Sequence, residues 1–156
     1  IARRHDLDRQ QDGHRHAHQC TPASRAKGEG GLSMARVLLI DDDQSNLDFM
    51  RQVLHLDGHE LVWAADGEQG LAQVRQFCPE LIICDVIMPH LGGFAVLETV
   101  RADPQLSGIP VLLFSAAMNE EARAIALRRG ATEVLAKPFE LAQLRGAIRR
   151  CPGQQR

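Results

Sequence analysis

Residues able to carry metal or phosphate chemistry follow four short apolar runs of the chain. The acidic triplet 41–43 follows VLLI, Asp85 follows LIIC, Ser115 follows VLLF and Lys137 follows TEVLA. Continuous apolar runs of this length are typical of strands buried on both faces of a parallel sheet. Ligand chemistry in such sheets collects at the carboxyl ends of the strands. The spacing predicts that these side chains share one edge of a sheet, and that the acids converge if the first and third strands are neighbours.

Each of these residues also has an ordinary structural interpretation. Asp85 alone fits a chain exit into water as well as a chemical site, and Asp43 is placed to cap the helix that follows it. Ser115 fits a turn hydroxyl, and Lys137, which precedes a proline, fits a solvated loop residue. Their joint occurrence at successive strand ends favours a common site instead.

The acids of such a site would repel one another and would need a cation to stay ionised. Asp41, Asp42 and Asp85 would form an oxygen-rich pocket suited to a hard metal, most simply Mg²⁺. A carboxylate beside Mg²⁺ can act as a nucleophile and form an aspartyl phosphate. Lys137 could then hold one phosphoryl oxygen, and Ser115 could donate a hydrogen bond to another. The residue types therefore indicate phosphoryl transfer.

Five helices must connect these strands and hold their ends in place. Asn119 is expected to cap the fourth helix, which is acidic in its first turn and basic in its last, as the helix dipole favours. Strict alternation of strands and helices predicts an α/β fold with a doubly wound, five-stranded parallel sheet. The predicted strands span 36–40, 60–64, 81–84, 110–114 and 132–136, and the predicted helices span 43–57, 67–77, 93–101, 120–129 and 140–150.

The composition is that of an ordinary globular protein, with 156 residues, 44% of them hydrophobic and 24% charged. The formal net charge of −2 gives no reason to expect nucleic acid as a partner. No apolar run is long enough to span a membrane and no signal-peptide pattern opens the chain, so we expect a cytoplasmic protein without a membrane partner. The cysteines lack CxxC spacing, which argues against a zinc site and fits reduced thiols. They are Cys20, Cys78, Cys84 and Cys151.

Residues 1–33 contain almost no large apolar side chains. Such a segment cannot bury enough surface to offset its ordering entropy, so we expect a disordered, His-rich extension, then one domain at 34–151 and a short tail at 152–156. Its HRHAH stretch would be an adventitious metal site, because no fold presets the ligand geometry. An alternative is that Met34 is the natural start, since residues 27–31 are what a purine-rich ribosome-binding site would encode.

Four segments together resemble the receiver domain of two-component response regulators: VLLIDDD, IICDVIMPHLGG, VLLFSA and LAKPF. The match runs in order over roughly residues 36–150, and GHELVWAADGEQGL resembles the family's second-strand region. The resemblance implies a flavodoxin-like sheet with strand order 2-1-3-4-5, an order for which the chemotaxis member of the family is a standard example.

The resemblance also implies a metal site. Asp85 matches the family's phosphoacceptor. Asp41 and Asp42 match its acidic pair, of which Asp42 would bind Mg²⁺ directly and Asp41 would act largely through water. The backbone carbonyl of Ile87 matches the third protein ligand. The implied Mg²⁺ site therefore comprises Asp41, Asp42, Asp85 and the Ile87 carbonyl.

The implied function is a phosphorylation-activated switch. A histidine kinase or phosphotransfer protein would present phosphohistidine to Asp85, and the acceptor would phosphorylate itself and have autophosphatase activity, without being a conventional enzyme. Ser115 matches the switch hydroxyl, and Lys137 matches the phosphate-binding lysine, whose peptide bond to Pro138 would be cis. The face formed by the fourth helix, fifth strand and fifth helix would then bind a downstream target protein.

Several alternatives stay open at this point. Only CPGQQR follows residue 150, which favours output by protein contact, but a receiver excised from a hybrid histidine kinase or a larger regulator has the same pattern. A non-phosphorylated scaffold receiver usually lacks an acid or the lysine, and neither is missing here. A dehalogenase-like phosphatase would need DxDxT on its first strand. A flavodoxin-like flavin carrier would need a phosphate-binding hydroxyl loop where this chain has DDDQS.

The chain departs from the family pattern at a few positions. Val134 stands where the family usually has an aromatic switch residue, and Gly92 replaces the acid usually found before Gly93. Ile87 and Ala117 are apolar where the family's side chains influence the hydrolytic water. We therefore expect slow autodephosphorylation and a switch that works without the usual aromatic ring.

Overall fold

A parallel sheet with helices on both faces makes up the computed structural model, which describes residues 34–152. All strand pairs are parallel and the strand order is 2-1-3-4-5, which confirms the predicted fold class and topology. The strands are β1 (Arg36–Ile40), β2 (Glu60–Ala64), β3 (Leu81–Asp85), β4 (Val111–Ser115) and β5 (Glu133–Ala136). The helices are α1 (Gln44–Leu56), α2 (Gly67–Phe77), α3 (Gly93–Ala102), α4 (Glu120–Arg128) and α5 (Leu141–Arg150).

Two predicted strands were one residue too short at their carboxyl ends. β3 includes Asp85 and β4 includes Ser115, because Asp85 is still paired with Phe114 of β4 and Ser115 with Ala136 of β5. The first helix begins one residue later than predicted, since Asp43 caps it by accepting the amide of Ser45 at 2.8 Å. The polar residues of interest therefore lie at the ends of regular strands, where ladder hydrogen bonds fix their backbones.

The sheet separates two apolar cores. Alternate residues of each strand face opposite sides, so Leu38 and Ile82 belong to the core under α2, α3 and α4, while Leu39 and Ile83 belong to the core under α1 and α5. Every residue of β3 is buried, as expected for the central strand of a sheet covered on both faces. The two cores together hold the carboxyl ends of β1, β3, β4 and β5 at one edge.

The cysteines differ in environment. Cys84 and Cys151 are buried free thiols, and burial raises the pKa of Cys151 to about 11. Cys78 is disulfide-bonded, so the expectation of reduced thiols was wrong at this position. The physical difference is access, because Cys78 caps the end of α2 and is only half-buried, whereas the other two are enclosed by the cores. Cys20 lies outside the described residues.

Within residues 34–152, no helix is both long enough and apolar enough to cross a bilayer. The expectations for the His-rich extension at 1–33, its metal affinity and a natural start at Met34 concern a segment outside the described residues. The same holds for the tail beyond Pro152.

Candidate functional site

The sheet order brings the predicted site residues to one edge. β1 lies between β2 and β3, with Ile40 paired to Cys84, so Asp41 and Asp85 leave neighbouring strands side by side. Carboxylate oxygens of Asp41, Asp42 and Asp85 all lie within 4.8 Å of one another. The expected convergence of the three acids is therefore present.

Asp41 is the deepest of the three acids and is 1% exposed. One of its oxygens, Oδ1, accepts the amide of Asp43 at 2.9 Å. Its other oxygen, Oδ2, is buried and has no hydrogen-bond partner among the described residues, although Lys137 Nζ lies 3.7 Å away. Burial raises the pKa of the Asp41 carboxyl, and the Asp43 amide and the Lys137 charge oppose that rise. An unpaired buried carboxylate oxygen fits a site built to receive a cation.

Asp85 has both carboxylate oxygens held in place. Lys137 Nζ donates to Oδ2 at 3.0 Å, and the amide of Ile87 donates to Oδ1 at 3.2 Å. The residue is 7% exposed, so the carboxylate is presented through a small opening in the edge of the sheet. This arrangement fixes its orientation towards Lys137.

Gly93 allows the backbone around Asp85 to pack closely. It is the first residue of α3, and its amide donates to the Val86 carbonyl at 3.0 Å. A β-carbon at this position would overlap the Asp85 carbonyl oxygen and the Val86 Cα. Sequence reasoning missed this role; the only local signal was the Gly92–Gly93 pair, because the approach depends on how α3 packs against β3.

Lys137 reaches the acids from the end of β5. Its peptide bond to Pro138 is cis, as the resemblance implies. The ammonium lies 4.6 Å from the centre of the Phe114 ring, which gives it a cation–π contact in addition to its two carboxylate neighbours. The lysine thus supplies the positive charge that the acids need when no metal ion is bound.

Ser115 and Ile87 differ from Lys137 in their relation to the acids. Ser115 is 2% exposed, and its hydroxyl oxygen accepts the amide of Ala117 at 3.2 Å, within its own loop. No hydrogen bond joins it to Asp85 in the described part of the chain. The Ile87 side chain is 61% exposed, and the role of its carbonyl as a metal ligand stays a prediction.

The donor set fits a hard divalent cation. The set contains only oxygen atoms, one of them buried without a hydrogen bond, and Asp42 is exposed, which leaves solvent access for metal-bound water. Such a set suits Mg²⁺, which binds a few carboxylates and keeps several waters. Bound there, the ion would neutralise charge that Lys137 balances only in part.

The structure also shows the surroundings of the positions that depart from the family pattern. Val134 is 1% exposed and packs into the core under α4. Gly92 is the N-cap of α3 and makes no side-chain capping bond. Ala117 lies exposed in the loop after β4.

Comparisons with known proteins agree with this geometry. The response regulator receiver domain family matches residues 37–149. Protein PilH of Pseudomonas aeruginosa is 32% identical over 107 residues, which cover 69% of this chain and 88% of PilH. The DNA-binding dual master transcriptional regulator RpaA of Synechocystis sp. is 35% identical over 121 residues, which cover 75% of this chain and 50% of RpaA.

A solved structure gives the same result. The chemotaxis protein CheY4 of Vibrio cholerae aligns with a TM-score of 0.71 and 33% identity, covering 76% of this chain and 98% of CheY4. The chain thus spans most of CheY4 and PilH but about half the length of RpaA and of the mycobacterial regulators PrrA and MtrA. Family match, strand order and acidic edge lead to one conclusion: this chain belongs to the response regulator receiver domain family.

Proposed function

We propose that the chain is a phosphorylation-activated switch of a two-component system. Asp85 accepts a phosphoryl group from phosphohistidine of a histidine kinase or phosphotransfer protein, with Mg²⁺ held by Asp41, Asp42, Asp85 and the Ile87 carbonyl. The observation that carries this proposal is the contact of Lys137 Nζ with Asp85 Oδ2 at 3.0 Å beside the unpaired buried oxygen of Asp41. We place the switch in the cytoplasm.

The transfer step follows from this arrangement. A carboxylate oxygen of Asp85 attacks phosphorus, the P–N bond of phosphohistidine breaks, and its electron pair returns to the imidazole. Bound Mg²⁺ supplies charge neutralisation for the transferring group. Lys137, already 3.0 Å from Oδ2, moves its hydrogen bond to a phosphoryl oxygen.

Ser115 provides the change of state. In the unphosphorylated protein its hydroxyl oxygen accepts a hydrogen bond from the Ala117 amide at 3.2 Å. Once the phosphoryl group is present, the hydroxyl turns and donates a hydrogen bond to that group. The group adds close to two negative charges and three acceptor oxygens. Moving a population from 1:99 to 99:1 requires the two states to differ by about 5.5 kcal/mol in their interaction with the group. Ser115 and Lys137 are the residues that make this difference.

The test is direct labelling of the full chain. Incubation with Mg²⁺ and acetyl phosphate is expected to add one phosphoryl group, read as a single mass increment by intact-protein mass spectrometry. Addition of EDTA should prevent the increment, because the three acids then lack their counter-ion. A chain that takes no phosphoryl group under these conditions would be a scaffold receiver, and the proposal would be rejected.

The phosphodonor protein docks on an apolar groove next to the acids. The groove, of about 390 Å³, lies between α1 and the loop after β5; Lys137 lines it together with Phe49, Phe114 and Phe139. Phe49 is 50% exposed and lines this groove, so its ring is accessible to a docking protein. Because the groove shares Lys137 with the site, a protein seated on it can bring phosphohistidine to Asp85.

Phe49→Ala is expected to slow transfer from a kinase by roughly 10-fold, the effect of losing one apolar anchor. Labelling by acetyl phosphate should be unchanged, since the small donor needs no docking surface. The kinase for this experiment is chosen by testing purified, autophosphorylated histidine kinases from the same genome and taking the one that labels the wild-type chain fastest. Leu56→Ala is the control, because Leu56 is on the same helix and is 82% exposed. Equal losses in both variants would argue against the groove.

The phosphorylated form is expected to decay slowly. Neither the side chain of Ile87, a residue that is 61% exposed, nor that of the exposed Ala117 has a polar atom to hold the hydrolytic water. Ile87→Asn should accelerate loss of the phosphoryl group by roughly 10-fold or more, because a positioned polar side chain assists proton transfer from water. The decay is followed by mass spectrometry, with Leu56→Asn as the control. Fast decay of the wild-type phosphoprotein would contradict the hypothesis.

A second candidate function follows from the lengths of the relatives. The chain spans 50% of RpaA, which is named as a DNA-binding regulator. This favours a receiver that controls a further module of a longer protein. The mass of the protein purified from its native host distinguishes this from a stand-alone switch with output by protein contact.

A further inference from the structure

A buried carboxylate joins α4, β5 and α5, the three elements of the face that we expect to bind a downstream target. Glu133, the first residue of β5, is 7% exposed. Arg123 of α4 places Nη2 3.3 Å from Glu133 Oε1, and Arg150 of α5 places Nε 2.8 Å from Oε2. One side chain thus binds both flanking helices to the edge strand. We refer to Arg123, Glu133 and Arg150 as the arginine clamp.

The arginine clamp also occupies the open edge of the sheet. Among residues 34–152, β5 pairs with β4 alone, so part of its backbone faces away from the sheet. The Val134 amide donates to Glu133 Oε1 at 3.2 Å, and the Val134 carbonyl accepts from Arg123 Nη1 at 3.0 Å. Two side chains therefore satisfy the backbone groups that a further strand would otherwise satisfy.

The carboxylate stays charged in this setting. Burial alone would raise the pKa of Glu133, but the hydrogen bonds from Arg150 and from the Val134 amide, with the charges of both arginines, leave it below the ordinary value. An exposed ion pair such as Arg129–Glu98, with side chains 50% and 61% exposed, contributes little to holding a helix in place. The clamp is different because its carboxylate is buried and because Arg123 also donates a hydrogen bond to the Val134 carbonyl.

The clamp connects the two segments that carry the site. Residues 116–119 join Ser115 to α4, so a shift of the Ser115 loop acts on the helix that carries Arg123. Two residues, Leu135 and Ala136, separate Val134 from Lys137, which directly follows β5. Val134 has no aromatic ring that could move inward. At this position α4 is instead linked to β5 by the hydrogen bond from Arg123 to the Val134 carbonyl.

We propose that the arginine clamp is the regulatory element that holds α4 on β5 and α5 in the unphosphorylated protein, and that it is released when Ser115 turns to the phosphoryl group. The inference rests on the proposed function and names the bonds that the phosphoryl group must overcome. By thermodynamic reciprocity, a bond that stabilises the unphosphorylated state weakens binding of the phosphoryl group. Removing the clamp must therefore strengthen that binding.

The test measures an equilibrium. Beryllium trifluoride with saturating Mg²⁺ serves as the phosphoryl mimic, and its Kd is determined by isothermal titration calorimetry on the full chain. Glu133→Gln keeps the shape of the side chain and removes its charge. It is expected to lower the Kd by roughly 5-fold, the lower end of ordinary allosteric coupling. Glu121→Gln is the control, because it removes the same charge from an exposed position on α4.

A purely structural role predicts the opposite. Loss of a purely structural ion pair would lower the unfolding midpoint and leave the Kd for beryllium trifluoride unchanged or raised. A Kd that is unchanged, or one that is raised, would overturn the proposal. If Glu133→Gln does not fold, Arg123→Gln decides, because it leaves the pair between Arg150 and Glu133 intact. Acetyl phosphate labelling of the wild-type chain is measured in parallel. Absence of labelling rejects the proposed function together with the clamp, whereas labelling without a tighter Kd rejects the clamp alone.

Discussion

Asp85→Asn is expected to reduce phosphoryl incorporation from acetyl phosphate to the background seen without donor. The neutral amide oxygen of asparagine is a much weaker nucleophile towards phosphorus than a carboxylate oxygen. The variant also removes one of the three acids that attract the metal ion. Incorporation is measured by intact-protein mass spectrometry in buffer with Mg²⁺. Asp48→Asn is the matched control, because Asp48 is an exposed acid on α1 outside the acidic cluster.

The loss should occur without unfolding. Lys137 keeps Asp41 as a neighbour at 3.7 Å, and the repulsion between Asp41 and Asp85 disappears. We therefore expect a far-UV circular dichroism spectrum and a urea midpoint close to those of the wild type in Mg²⁺-free buffer. Residual labelling of this variant at another residue would show that Asp85 is not the acceptor.

Lys137→Ala is expected to make stability depend strongly on Mg²⁺. The lysine is 20% exposed and is the cation that contacts both Asp85 and the buried Asp41. Without it, the acids face one another with no cation from the described part of the chain. The free energy of unfolding in Mg²⁺-free buffer should then fall by about 2 kcal/mol, as for a lost hydrogen bond between charged groups. Mg²⁺ should restore much of this loss, because it binds the folded state only. Urea unfolding with and without Mg²⁺ measures both effects.

The same variant separates metal binding from switching. Its Kd for Mg²⁺, measured by calorimetry, should be no weaker than that of the wild type, since a competing positive charge is gone. Its phosphoprotein should transmit the signal poorly, because no ammonium holds the phosphoryl oxygen. Arg75→Ala is the control, as it removes a cation from a surface ion pair with Asp103 at 2.9 Å. A Lys137→Ala chain that signals fully would contradict the role assigned to the lysine.

Much of the architecture could be predicted from local patterns. The apolar run at 81–84 and the helical stripe of α1 are properties of a few consecutive residues, so strands and helices were located to within one or two positions. Asp43 was predicted to cap α1 and does so, because a cap needs only the amides that follow it. The disulfide at Cys78 was not foreseen, since pairing depends on distance in space.

The position of the acids was also accessible before the fold was known. Strands that alternate with helices run parallel, so the residues that follow them, such as Asp41 and Asp85, must reach the same edge. What the pattern could not decide was whether β1 and β3 are neighbours. That order came from the family resemblance, and the pairing of Ile40 with Cys84 confirms it.

The chain sequence by itself therefore determined which residues stand at the acidic edge of the sheet and what chemistry their types allow. Only the tertiary structure decided their unequal environments, with Asp41 buried and carrying an unpaired oxygen while the adjacent Asp42 is exposed. It also decided that Gly93 must lack a side chain and that Glu133 binds two helices. The reason is physical: burial, close approach and ion pairing depend on contacts between residues far apart in the chain, and packing alone brings those residues together.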